Sequence, residues 1–266
     1  MTTLTAYASP ALATHLWNYG RFELRRIVRN RRYIAISIGF PVFFYLLYTG
    51  LLQGGSTTRD TALIDGIRWP AFFMVSMASF GAFAATLNWS RVIATERSSG
   101  WTRQLQAMPL DSRTYLLTKL VVSFVTTLPV LVLVMGAGVV VNHVSLPATT
   151  WLALFVVLAA GSLPFAALGL LLGYVLDGDS VQMGTSVTMF ALAILGGMWA
   201  PVQSFPSIMA DVARVLPSYH FSNLGWNMLA GRSIDPTDVA VLAAYGLVFG
   251  ALVIWRFMAD EQKAHG

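Results

Sequence analysis

The residues able to do chemistry in this chain are few, and their spacing rules out most enzymes. Its two lysines, Lys119 and Lys263, follow Thr118 and Gln262, so neither completes a G-x-x-x-x-G-K-[ST] phosphate loop. The four histidines, His15, His143, His220 and His265, lie far apart and include no H-E-x-x-H pair. A G-x-S-x-G nucleophile elbow is absent, and so is cysteine, which removes disulfides and thiolate metal sites. No metal site is expected, and neither is catalysis by this chain alone.

What remains is a polar interruption. "RVIATERSSGWTRQLQAMPL", Arg91 to Leu110, sits between two long apolar stretches. Within it Trp101, Leu105 and Met108 recur at i, i+4 and i+7, one face of a short helix. Ser98 or Ser99 can cap its start, and Pro109, Leu110 and Asp111 mark its end. That apolar face suits either the membrane surface or a partner protein, and periodicity does not choose between them.

The elements that carry this segment are membrane helices. Hydrophobic residues make up 56% of the 266, and charged residues 11%, against about 25% in soluble domains. Apolar runs of about 20 residues, long enough to cross a bilayer, predict six spans. They are roughly Tyr33–Leu52, Trp69–Trp89, Tyr115–Val141, Trp151–Leu176, Val181–Trp199 and Val239–Phe257. The fourth and fifth part at "DGDS", Asp177–Ser180, where two carboxylates force the chain to surface and turn. Lys119 and Arg256 fall near span ends, where a long side chain can snorkel to water.

Alternate loops divide the basic residues unequally. One side holds Arg21, Arg25, Arg26, Arg29, Arg31, Arg32, Arg91, Arg97, Arg103, Arg113, Lys119, Arg256 and Lys263; the other holds Arg59, Arg68, Arg214 and Arg232. The positive-inside rule places the first set, and both termini, in the cytoplasm. The net charge of +5 then reports topology rather than nucleic-acid binding. Ahead of the first span, residues 14–32 read as an amphipathic helix at the membrane surface, with Arg21, Arg25, Arg29 and Arg32 along one face toward anionic lipid. A solvated basic tail is the alternative.

Two stretches resemble a known family. "TERSSGWTRQLQAMPLDSRTYLLTK" is similar to the segment after the second helix of ABC-2 type exporter permeases, through Glu96, Arg97, Gly100, Pro109 and Lys119; Ser98 departs where that family often has a second acid. "LGGMWAPVQSFPSIMADVARVLPSYHFSNLGWNML" resembles its outer hairpin, through Gly197, Pro201, Pro206, Pro217, Tyr219 and His220. The resemblance implies one transmembrane domain over residues 1–266. This would be an all-α membrane protein with six transmembrane helices, an N-terminal interfacial helix, a cytoplasmic coupling helix at 95–110 and an outer re-entrant hairpin at 200–232.

It further implies a bacterial inner-membrane subunit, paired with a second copy or a related permease. A separate ATPase subunit that holds ATP and Mg would drive it. The coupling residues would be Glu96, Arg97, Gly100, Trp101, Leu105 and Met108, with Glu96 meeting the ATPase or Arg97. Substrate would be a drug, antibiotic or lipid-like compound, with a polysaccharide or lipid-linked glycan as the alternative cargo. A non-transporting scaffold or sensor is the rival role. Gln182, Met183, Thr185 and Thr188 either line a path or join helices. Pro201, Pro217, Tyr219 and His220 would shape an outer gate. "GLLLG", Gly169–Gly173, is a G-x-x-x-G for close helix packing, within the chain or between subunits.

Overall fold

The computed structural model describes residues 31–51, 63–99 and 112–265, together with Arg21, Arg25 and Arg29. It is built of helices, plus one two-stranded antiparallel ribbon, β1 (Leu63–Ile64) and β2 (Ile67–Arg68). Helix α1 (Arg31–Leu46) contains Pro41 and loosens into a π-helical turn at Leu47–Leu51. Helices α2 (Trp69–Leu87) and α3 (Trp89–Ser98) follow, separated by Asn88 alone, as one 30-residue apolar stretch. At 1.5 Å per residue it is about 45 Å long. Helices α4 (Ser112–Val125) and α5 (Thr127–Asn142) join in the same way, as do α6 (Ala148–Gly161) and α7 (Leu163–Val175). Then come α8 (Asp179–Leu195), α9 (Ser207–Ala213), α10 (Pro217–Leu229) and α11 (Pro236–His265).

The expected six spans are corrected to four. Among the described residues, Trp69–Ser98, Tyr115–Asn142, Ala148–Val175 and Pro236–Ala259 are long and apolar enough to cross a membrane. Among the described residues, the apolar helix in the first expected span is Gly39–Gly50, shorter than the four; it contains Pro41 and runs into the π turn. The fifth expected span overlaps α8, 17 residues that open on Asp179 and carry Gln182, Thr185, Ser186 and Thr188. Those polar groups, and the stop at Gly196 and Gly197 (φ 80°), keep it below the length and apolarity of the four. The second span also outruns its expected end at Trp89 by nine residues, to Ser98.

Packing explains this order. The combined α2–α3 helix is apolar on all sides because it is surrounded: its most apolar stretch is 94% buried, against 17% for α11. Helices α1, α5, α7 and α10 all contact α2. The G-x-x-x-G of α7 resolves as packing within the chain. A Cβ on Gly169 would lie 2.6 Å from the Thr86 carbonyl, and one on Gly173 would lie 2.7 Å from that of Ser90. Backbones approach here as closely as they can, so α7 and α2–α3 behave as one unit.

The turn at Asp177–Ser180 forms as the charge pattern predicts. Gly178 takes φ 55°, and Ser180 Oγ donates to the Asp177 carbonyl at 2.5 Å.

Candidate coupling and gating sites

Glu96 sits in the last turn of α3 and points inward. Lys119 Nζ donates to its Oε1 at 2.7 Å, and the Tyr115 hydroxyl donates to its Oε2 at 2.9 Å. The lysine side chain is fully buried and the glutamate 4% exposed. Lys119 also lies 5.4 Å from the Trp89 ring centre and 5.3 Å from that of Tyr115, within reach of cation–π attraction. The expectation that Lys119 snorkels to water is therefore corrected: the chain brings it an acid and two aromatic faces instead. Two charges withdrawn from water hold together only with good geometry and satisfied remaining lone pairs, which Tyr115 helps supply. Tyr115 and Lys119 share a face of α4, four residues apart, which is why one carboxylate collects both.

Arg97, the next residue, turns the other way. Its Nη1 donates to Asp177 Oδ1 at 3.0 Å and to the Gly173 carbonyl at 3.1 Å, and its guanidinium lies 5.4 Å from the Tyr174 ring. It thereby closes α3 onto the end of α7 and the turn before α8. Ser98 and Ser99 donate their hydroxyls back to the carbonyls of Thr95 and Glu96 at 3.1 Å each, finishing α3. Gly100, Trp101, Leu105 and Met108 lie outside the described residues. So does the segment to Asp111, after which α4 leads to Tyr115 and Lys119. The two ends of that segment are thus joined through the Glu96–Lys119 pair.

Helix α8 divides its polar residues. Thr185 is buried and shares a 2.7 Å hydrogen bond with Ser90 of α3, while Ser186 accepts from Arg91 Nη2 at 3.4 Å. Thr188 is half-buried; Gln182 and Met183 are exposed. Met183, Val187, Phe190 and Ile194, at i, i+4, i+7 and i+11, form an exposed apolar stripe.

At the far end of α2, the segments on either side of α10 meet around His220. Pro217 begins α10 in the N1 position that proline favours. His220, one turn in, is buried: its Nδ1 lies 2.6 Å from Asp238 Oδ1 and its Nε2 lies 2.8 Å from the Arg214 carbonyl. Asn223 donates to the other oxygen of Asp238 at 2.9 Å. Burial is the largest influence on the ring and disfavours its charge. The Asp238 hydrogen bond, the Arg214 carbonyl and the negative charges of Asp238 and Asp235 together outweigh it, so His220 titrates above its ordinary value. Tyr219 sets its ring across the histidine at 5.4 Å; Pro201 is half-buried beside the turn Val202–Ser204. Near this end Asp65 and Arg232 form an exposed ion pair, 2.7 Å.

Asp238 and Asn223 are site residues that sequence reasoning missed. Asp238 stands one residue ahead of the last apolar run; Asn223 is one turn from His220 on the same helix. A proline-started helix with an acid in its first turn was the available signal for Asp238. Of the arginines expected at the membrane surface, Arg21, Arg25 and Arg29 are helical and exposed, and Arg32 lies in α1.

Comparison with known proteins gives the family. Residues 69–255 match the model of the ABC-2 family transporter proteins, a match that opens at the first residue of α2 and ends within α11. YvfS of Bacillus subtilis (strain 168), named as a candidate transport permease, is 26% identical over 243 residues, covering 91% of this chain and 96% of that protein. Membership makes the chain a multi-pass membrane permease, a transport subunit rather than an enzyme, and implies pairing with an ABC ATPase subunit. The chain belongs to the ABC-2 family of transporters.

Proposed function

We propose that this permease is the membrane half of an ATP-driven exporter in a bacterial cytoplasmic membrane, with the Arg97 end in the cytoplasm. Residues 95–110 dock on the ATPase, which holds ATP and Mg. The observation that carries this reading is the Glu96–Lys119 pair, which fastens both ends of that segment to the central α2–α3 helix. A push on Trp101, Leu105 and Met108 then reaches a helix packed against α1, α5, α7 and α10, rather than dissipating in a loop. Nucleotide drives the cycle only through different affinity for the permease's two states.

The stripe Met183, Val187, Phe190 and Ile194 supports a hydrophobic or amphipathic cargo, such as a drug, antibiotic or lipid-like compound, moving where a second permease copy faces it. A glycan needs hydroxyl partners, and Thr185 and Ser186 on α8 already bond Ser90 and Arg91.

The test is co-purification with the candidate ATPase and ATP-dependent accumulation of a hydrophobic dye in inverted vesicles, for wild type and Trp101→Ala. Loss of a central aromatic anchor commonly costs about 2 kcal/mol or more, roughly 30-fold in affinity. Partner binding should fall while membrane insertion persists. Normal binding and dye uptake in Trp101→Ala would return the segment to the membrane surface.

A further inference from the structure

We infer that His220 is a proton-binding site, and that its bound proton latches the α9–α10 hairpin to α11. A neutral imidazole has one N–H and one lone pair, whereas a protonated one has two N–H groups. Here both ring nitrogens face acceptors: Nδ1 faces the Asp238 carboxylate at 2.6 Å, and Nε2 faces the Arg214 carbonyl at 2.8 Å. A carbonyl never donates, and an ionised Asp238 offers acceptors only, its second oxygen already accepting from Asn223. With Asp238 ionised, the arrangement is complete only with the ring doubly protonated.

The three groups belong to different elements. Arg214 closes α9, His220 lies in the first turn of α10, and Asp238 lies in the first turn of α11. A protonated ring bridges all three. A neutral ring must present its lone pair to one of the two acceptors, so one side of the bridge is released. Tyr245 adds a second tie between α11 and the α9–α10 turn, its hydroxyl donating to the Val215 carbonyl at 3.2 Å. That tie does not depend on histidine.

Other charges around the ring do not replace the proton. From the turn before α11 comes Asp235, which like Asp238 favours a protonated ring. From α9 comes the Arg214 guanidinium, engaged with Asp211 at 3.1 Å. From α10 itself comes the Tyr219 phenol, and beyond it the Asp65–Arg232 pair. Helices α2 and α6, also packed on α10, contain no titratable residue, and α8 has only Asp179 at its distant start. The site is net acidic toward a buried imidazole, and this is the charge pattern that retains a proton.

This deepens the outer-gate part of the exporter reading, and rests on it only in calling the hairpin a gate. The experiment therefore uses the full chain in lipid nanodiscs, without ATPase or substrate. Nitrogen-15 spectra of labelled histidine, with His220 assigned by His220→Gln, should show both ring nitrogens protonated through pH 6.5, the ordinary histidine midpoint being about 6.5. Spin labels at Ser207→Cys and Leu247→Cys, in a chain with no other cysteine and diluted with unlabelled chain, report the α9-to-α11 distance. That distance should lengthen as pH rises through the His220 midpoint. It should not respond to pH in His220→Gln or in Asp238→Asn. A ring already singly protonated at pH 6.5 would overturn the proposal. So would a distance that stays constant while the ring titrates, or a wild-type pH response that persists in both variants.

Discussion

Beside the end of α3 a lysine and a glutamate meet in a dry site; between α10 and α11 a histidine and an aspartate do. Both pairs are buried, and each ties two consecutive helices together, α3 to α4 and α10 to α11. They differ in chemistry. The Glu96–Lys119 pair, closed by Tyr115 and two aromatic faces, is a fixed strut. A histidine titrates near neutral pH, so His220–Asp238 can be made and unmade. In the proposed cycle, the same element, buried charge, serves a rigid joint beside the coupling segment and a releasable one in the hairpin.

The largest effect should come from breaking the strut on one side only. Lys119→Met leaves Glu96 buried without its cation, a loss commonly worth about 3–5 kcal/mol. Thermal unfolding in detergent should fall steeply, whereas Glu96→Gln/Lys119→Met should recover most of it, because neutral replacement of a buried pair is often tolerated. A double variant no better than Lys119→Met would mean the charges themselves are required for folding.

Next is the seam that makes the strut useful. Gly173→Val places a Cβ 2.7 Å from the Ser90 carbonyl and 2.8 Å from Ile93 Cβ. Overpacking of this kind costs about 1–3 kcal/mol, read from the same melting curves. An unchanged melting temperature would show that α7 and α3 can separate freely.

A smaller effect, distinguished by its pH dependence, belongs to the His220 end. The folded-state value of His220 is raised, so its contribution to stability is complete below the ordinary histidine value and fades as pH rises through the folded one. Melting temperature should decline across that window, and Asp238→Asn should flatten the decline. Smallest of all is Arg232→Ala at the exposed Asp65 pair, where solvent screening should leave nothing measurable in the melting temperature.

Four of the six expected spans and the turn at Asp177–Ser180 follow from apolar runs and paired carboxylates. The count of six failed because, among the described residues, the apolar helix at the first expected span is short and α8 is only 17 residues long with polar groups along it. Glu96 was expected to meet the ATPase or Arg97, and its carboxylate instead meets Lys119 and Tyr115, 23 and 19 residues away. A helical period places residues on a face without saying whether that face looks inward. Asp238 escaped notice for a related reason: its partner, 18 residues back, is on another helix.

The central claim is that the strut transmits force rather than merely stabilising the fold. The most direct measurement is substrate moved per ATP hydrolysed by the reconstituted complex, with Glu96→Gln/Lys119→Met compared to wild type. The account predicts a variant that assembles with the ATPase and hydrolyses ATP, yet moves little substrate per ATP. A transport-to-hydrolysis ratio equal to wild type would contradict it.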